Sequence, residues 1–199
     1  SAQILSNPMP PQKGKYGSPG IGFGTEIKII NKKGNTQPTG KEGELMIRGA
    51  CVMKEYYKNP TVTAATIKEG GWLHTGDLAK QDEDGFVFIT GRLKELIIKG
   101  GENIAPREID DVLYSHPSVL EAGAVGIDDI DFCQEVVACV VIKGDQQVSE
   151  KELTDFCLIK LGKLKTPKNI FFFDELPKGP SGKVQRLKLV DQLKEKSLI

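Results

Sequence analysis

The chain has 199 residues, 39% of them hydrophobic, which is enough for one large domain or two small ones with their own cores and too apolar for a disordered segment. Its 27 Lys and Arg balance 27 Asp and Glu, so no net field gathers nucleic acid or an anionic membrane, and no nucleic-acid partner is expected. No stretch approaches the roughly 20 apolar residues of a membrane span, and no charged and apolar leader follows Ser1. The four cysteines, Cys51, Cys133, Cys139 and Cys157, show no metal or redox spacing and sit mostly in apolar runs, which reads as buried free thiols in a cytoplasmic protein. The first twenty residues, rich in Pro, Gly and Ser without a hydrophobic period, suggest the middle of a longer protein.

In chain order, residues 26–30 and 44–48 read as strands separated by the turn-rich stretch 31–40. A short helix is expected after Pro60, ended by Gly70 and Gly71, and Trp72 to His74 lead into a turn at Thr75-Gly76-Asp77. Asp82 to Gly85 predicts a hairpin between 78–80 and 86–90. Leu96 to Ile98 is a short strand broken by Gly100 and Gly101, and Pro106 opens a helix with Ile109, Val112 and Leu113 on one face. Residues 119–127 and 136–142 are β-prone and flank the acidic loop 128–131. Ser149 and Glu152 form a capping box before a helix, Ile170 to Phe173 is a further strand, and residues 187–196 make a last amphipathic helix. The fold class is therefore α+β: a β-rich first part, residues 1–91, and a small two-layer α+β unit, residues 92–199.

Taken alone, Thr75-Gly76-Asp77 is a turn, Lys99-Gly100-Gly101 a flexible corner, and Pro180-Ser181-Gly182-Lys183 a solvated loop. Neither His74 nor His116 has a metal-ligand spacing or a nucleophile nearby, Trp72 reads as a packed aromatic, and His116 as an imidazole at a helix end. Order changes the weight of these patterns. The blocks Gly43-Glu44-Leu45, Gly71-Trp72-Leu73-His74-Thr75-Gly76-Asp77, Gly91-Arg92-Leu93-Lys94, Lys99-Gly100-Gly101-Glu102-Asn103-Ile104, Pro106 with Glu108, and Pro180 to Arg186 resemble the adenylate-forming superfamily of acyl-CoA synthetases, peptide-synthetase adenylation domains and luciferases.

The resemblance implies an ATP-dependent acid–thiol ligase. Residues 1–91 would belong to a large AMP-binding domain, and residues 92–199 would form a mobile lid hinged near Lys94. Asp77 would accept hydrogen bonds from the ribose hydroxyls of ATP, Arg92 would reach the nucleotide, and Lys183 would be the catalytic residue at the α-phosphate during acyl-adenylate formation. In a second pose Lys99, Gly100, Gly101 and Glu102 would line the pantetheine path of coenzyme A, with Phe132, Lys165 and Lys168 near its nucleotide. The loop 164–168 has Thr166 where some relatives carry arginine. The phosphate loop, acid pocket and Mg2+ ligands are expected upstream, so these 199 residues by themselves are expected not to form acyl-adenylate. Partners implied are a carboxylic acid, ATP, CoA and the N-terminal part of the same protein. Two readings stand beside the ligase: an adenylation domain loading a carrier protein, and a non-catalytic module derived from a ligase.

Overall fold

A computed structural model describes residues 4–180 and 182–199. They divide into two compact units, one ending at Lys94 and the other beginning at Glu95. The sequence places this division at residues 91 and 92; the strand there continues to Arg92 and a 3₁₀ turn, Leu93–Glu95, follows it.

In the first unit β1 (Leu5–Ser6) pairs with β2 (Ile21–Gly22). The main sheet then builds from β3 (Thr25–Ile30) and β4 (Gly43–Gly49), followed by helix α1 (Pro60–Thr66), β5 (Ile67–Lys68), β6 (Trp72–Gln81) and β7 (Val87–Arg92). Its order is β3-β4-β6-β5, with β7 also on β6. Helix α1 starts as Pro60 predicts, the Asn59 side chain accepting from the Val62 amide, but it stops at Thr66, before Gly70 and Gly71. The next two residues join the sheet as β5, and the glycines form a 3₁₀ turn in which both have positive φ. Alternate residues Ile29, Leu45, Ile47, Leu73, Ala79 and Val87 turn inward as this unit's core.

The second unit runs β8 (Ile97–Lys99), β9 (Glu102–Ile104), α2 (Pro106–Tyr114), β10 (Val119–Asp129), β11 (Cys133–Ile142), α3 (Glu150–Leu161), β12 (Asn169–Phe172) and α4 (Arg186–Glu195). Strand β11 is central: β10 and β8 pair with it antiparallel and β12 parallel, while β10 is an outer strand. Val136, Ala138 and Val140 face α2 and α3 through Ile109, Leu113, Leu153 and Cys157. Val137, Cys139 and Val141 face α4 through Leu189 and Leu193. The sheet is thus covered on both faces, so α4 adds a third layer to the two expected; a strand buried on both sides reads as one continuous apolar run, which hides that the run serves two cores.

Two local expectations are met in full. Ser149 accepts from the Glu152 amide while the Glu152 carboxylate accepts from the Ser149 amide, completing the capping box of α3. Asp82 and Gly85 close the β6–β7 hairpin, Asp82 accepting from the Phe86 amide. The cysteines split: Cys139 and Cys157 are buried, whereas Cys133 is exposed at the start of β11 with φ of 70°, and Cys51 is half-buried. Among the described residues no helix is long and apolar enough to cross a membrane.

Candidate functional site

Asp77 and Arg92 are cross-strand partners on β6 and β7, and their side chains meet, Arg92 Nε lying 3.0 Å from Asp77 Oδ1. The expected turn at Thr75-Gly76-Asp77 is instead a bulge inside β6: against β4, Glu44 faces Leu78 and Met46 faces His74, so the extra residues loop out at the three-residue motif. Gly76 takes φ of 71°, a conformation that costs a side-chain-bearing residue, while open space surrounds its Cα; backbone geometry and not crowding calls for glycine. Thr75 holds the bulge from within, its hydroxyl donating to the Leu45 carbonyl at 2.7 Å and accepting from the Asp77 amide at 3.0 Å.

Glu44 braces it from the neighbouring strand. Its Oε1 accepts from the Gly76 amide at 3.2 Å and its Oε2 lies 2.9 Å from His74 Nδ1. The sequence places Glu44 in a recognisable block but gives it no task, because its partners lie across the sheet. His74 has the structural part expected of it. Trp72 is half-buried and carries Lys28 and Arg48 over its ring, at 4.2 and 4.7 Å from the centroid.

In the second unit Gly100 and Gly101 form the tip of the β8–β9 hairpin, with Lys99 opposite Glu102 and φ values of 57° and 85°. Two successive positive φ angles are the requirement of the two-residue turn that matches strand twist, so this pair is built for the turn. Glu102, Gly100 and Gly101 are exposed. Lys99 is not: it is 7% exposed and ion-paired with Glu135, itself 6% exposed. It therefore faces inward, a correction to its placement among residues that meet a ligand. Phe132 is half-exposed, its carbonyl accepting from the Gly100 amide at 3.0 Å, and the Lys99 ammonium lies 5.9 Å from its ring centre.

Of the other residues expected near the CoA nucleotide, Lys165 binds both oxygens of Glu108 at 2.7 Å, and Lys168 lies 3.6 Å from Asp129. Thr166 is buried, its hydroxyl donating to the Gly162 carbonyl at 2.8 Å. It closes the end of α3 and so presents nothing outward.

Lys183 rides on a small hairpin. Lys178 bridges to Val184, Gly179 donates to the Lys183 carbonyl at 2.9 Å, and Gln185 donates to the Pro177 carbonyl at 2.8 Å. Gly182 turns the tip with φ of 76°, leaving the Lys183 side chain exposed and, among the described residues, without an ion pair. Ser181 of this loop lies outside the described residues. Lys94 is exposed within the 3₁₀ turn at the unit boundary. His116, just past the end of α2, accepts through Nδ1 from the Ser118 amide at 3.3 Å, and its ring stands edge-on to Phe156 of α3. Among the described residues no three His, Cys, Asp or Glu side chains converge as a metal site.

The AMP-binding enzyme C-terminal domain matches residues 108–183, and the AMP-binding enzyme domain matches residues 2–57. The sulfoacetate–CoA ligase of Cupriavidus necator is 49% identical over 191 residues, and the oxalate–CoA ligase of Arabidopsis thaliana 41% over 194. These alignments cover 96% and 97% of this chain but only 38% of either relative, so the chain spans well under half their length. ATP-bound MatB from Rhodopseudomonas palustris superposes with a TM-score of 0.90 at 33% identity, over 96% of this chain and 38% of that one. By these matches the chain belongs to the AMP-binding, adenylate-forming enzyme family.

Proposed function

We propose that this chain supplies the nucleotide-gripping strand pair and the catalytic lysine of an ATP-dependent acid–thiol ligase. The observation that carries this reading is the Asp77–Arg92 pair on the bulged strand. A carboxylate can only accept hydrogen bonds, which suits the two hydroxyls of a ribose, and a guanidinium beside it offers donors to phosphate and ribose oxygens. Bound ATP would compete for each partner of a pair that is already oriented.

In the first step a carboxylate oxygen of the acid attacks the α-phosphorus, the bond to the β-phosphate breaks, and acyl-adenylate and pyrophosphate result. Lys183 stands on a slim Gly-Pro loop with a long stem and a point charge, and its ammonium would stabilise the negative charge that builds on the α-phosphate oxygens. In the second step the thiol sulfur of CoA attacks the acyl carbon, AMP leaves, and the thiol gives up its proton. Here the β8–β9 tip at Gly100, Gly101 and Glu102 would line the pantetheine arm, with Phe132, Lys165 and Lys168 near the nucleotide end. The last two would first have to release Glu108 and Asp129. Lys94 serves as the hinge that lets residues from Glu95 onward act in both steps. A magnesium ion on the nucleotide would take its ligands from the part of the enzyme upstream of this chain. A cytoplasmic setting, where the four free thiols stay reduced, accompanies this reading.

The test uses the intact enzyme that contains this chain. Acid-dependent release of pyrophosphate should proceed without CoA, the release of AMP that follows should require free CoA, and a carrier protein that replaces CoA as acceptor would overturn the acceptor assignment. Lys183→Ala should slow adenylate formation by about 10²- to 10³-fold, the usual loss for a preorganised donor. Thioester formation from supplied acyl-adenylate should be unchanged, and equal loss of both steps overturns the role of Lys183.

A further inference from the structure

Lys99 and Glu135 form an ion pair buried on both sides, Lys99 at the last position of β8 and Glu135 three residues into β11. Desolvating two charges is costly, and an apolar pair of like volume would hold a core at least as well, so stability alone is a poor reason for this pair to sit there. Its surroundings supply another. β8 and β11 share a single register pair, Cys133 with Lys99, and around it three further contacts converge. The Gly100 amide donates to the Phe132 carbonyl at 3.0 Å, the Ile98 amide donates to Gln134 Oε1 at 2.8 Å, and Glu135 Oε1 also accepts from the Val136 amide at 2.8 Å. The hairpin tip is thus tied to β11 through the residues on either side of Lys99, with the ion pair beneath.

We infer that Glu135, acting through Lys99, is a positioning residue that sets the Gly100–Gly101 tip and the Phe132 ring for the thiol substrate. A charge pair is directional where a methyl contact is not: the carboxylate fixes where the ammonium lies, and the stem of Lys99 carries that constraint one residue along the chain to Gly100. The inference rests on the proposed role of this tip in the thioester-forming step. It also reassigns Lys99 from touching the ligand to holding the segment that does.

The experiment compares Glu135→Gln and the apolar double variant Lys99→Met with Glu135→Met in the intact enzyme, with chemically supplied acyl-adenylate and free CoA as substrates. Glu135→Gln should raise KM for CoA and lower the thioester step by about 10- to 100-fold, the usual size of a loss from ångström-scale misplacement, while acid-dependent ATP–pyrophosphate exchange stays within about twofold. The double variant should regain the unfolding temperature lost in Glu135→Gln yet keep the thioester defect. Recovery of thioester formation together with stability in the double variant would reduce the pair to packing and overturn the inference. So would parallel loss of both half-reactions in Glu135→Gln. Should the unmodified enzyme form no CoA thioester at all, the ligase reading fails, a result distinct from either of these.

Discussion

Arg186 and Asp110 act together as a substitute strand on the free edge of β10. Asp110 Oδ1 accepts from the Ala124 amide at 2.7 Å, Arg186 Nη1 donates to the Ala124 carbonyl at 2.8 Å, and Arg186 Nη2 joins the two side chains through Asp110 Oδ2. Ala124 is fully buried and β10 is paired only by β11, so without these groups one residue's amide and carbonyl would be left dry and unpartnered. The same guanidinium donates through Nε to Glu95 at 2.9 Å, tying the first residue of the second unit to the start of α4, three residues beyond Lys183.

Arg186→Met should therefore destabilise the second unit by about 3–5 kcal/mol, the cost of stranding a buried charge. For an ordinary buried ion pair the apolar double variant restores stability. Here Arg186→Met with Asp110→Leu should not, because the Ala124 amide and carbonyl stay orphaned at about 1–3 kcal/mol each. Urea unfolding of the wild type, the single and the double variants decides this: a double variant as stable as the wild type contradicts the edge-capping role.

Glu44 governs the bulge that presents Asp77, and its replacement should be felt at the nucleotide and not in the fold of the strand. Glu44→Ala removes the acceptor for the Gly76 amide and the partner of His74 together. We expect the Kd for ATP in the intact enzyme to rise about tenfold, equivalent to about 1.4 kcal/mol. Glu44→Gln, which keeps a neutral acceptor for Gly76, should lose much less. Titration calorimetry with ATP checks both; unchanged affinity in Glu44→Ala would show that the bulge keeps its shape without this brace.

The parts of the fold that were legible in the sequence are those fixed by neighbours along the chain. Pro60 and Pro106 mark helix starts, Ser149 with Glu152 marks a third, and Asp82 to Gly85 marks a hairpin, since each signal acts within a few residues. The bulge at Thr75-Gly76-Asp77 reads as a turn in the sequence because a left-handed glycine serves either, and only the register against β4 tells them apart. The third layer of the second unit stayed hidden because residues 136–141 look the same whether one apolar face or two are covered. Of the residues with a proposed role, Asp77, Arg92 and Lys183 stand out by their place in ordered blocks. Glu44 lies in such a block but without a readable task, and Asp110 and Glu135 lie in none, since each works through a partner on a distant strand or helix; nothing local to Lys99 announces Glu135.

Cysteine reactivity should separate into two classes. A thiol reacts as its thiolate, and burial pushes Cys139 up to about 12 and Cys157 up to about 11, so both are protonated as well as covered at neutral pH. Cys133 lies exposed at the start of β11 and Cys51 is half-buried. A chromogenic disulfide reagent should label Cys133 first and Cys51 more slowly in the native protein, with Cys139 and Cys157 labelled only on unfolding. Mass spectrometry of the early adducts checks the order, and native labelling of Cys139 ahead of Cys133 would contradict the packing of α4 on the sheet.

The capping box of α3 should give a pH-dependent share of stability with a definite sign. The backbone amide of Ser149, and then its hydroxyl, donate to the Glu152 carboxylate and hold its pKa below the ordinary 4.5. The helix N-terminus favours the same charge. A carboxyl whose folded pKa is depressed binds fewer protons in the native state than in the unfolded chain, so stability rises with pH across that window. The contribution is complete above the unfolded value near 4.5 and is lost as pH falls through the lower folded value. Glu152→Gln removes the titration and keeps the shape. The gap in Tm between wild type and Glu152→Gln should thus be open at neutral pH and close as pH falls through the lowered folded value, below which both carry a neutral side chain. A gap that stays constant, or widens towards acid, would mean that the charge of Glu152 has no part in starting the helix and that the box works through neutral hydrogen bonds alone.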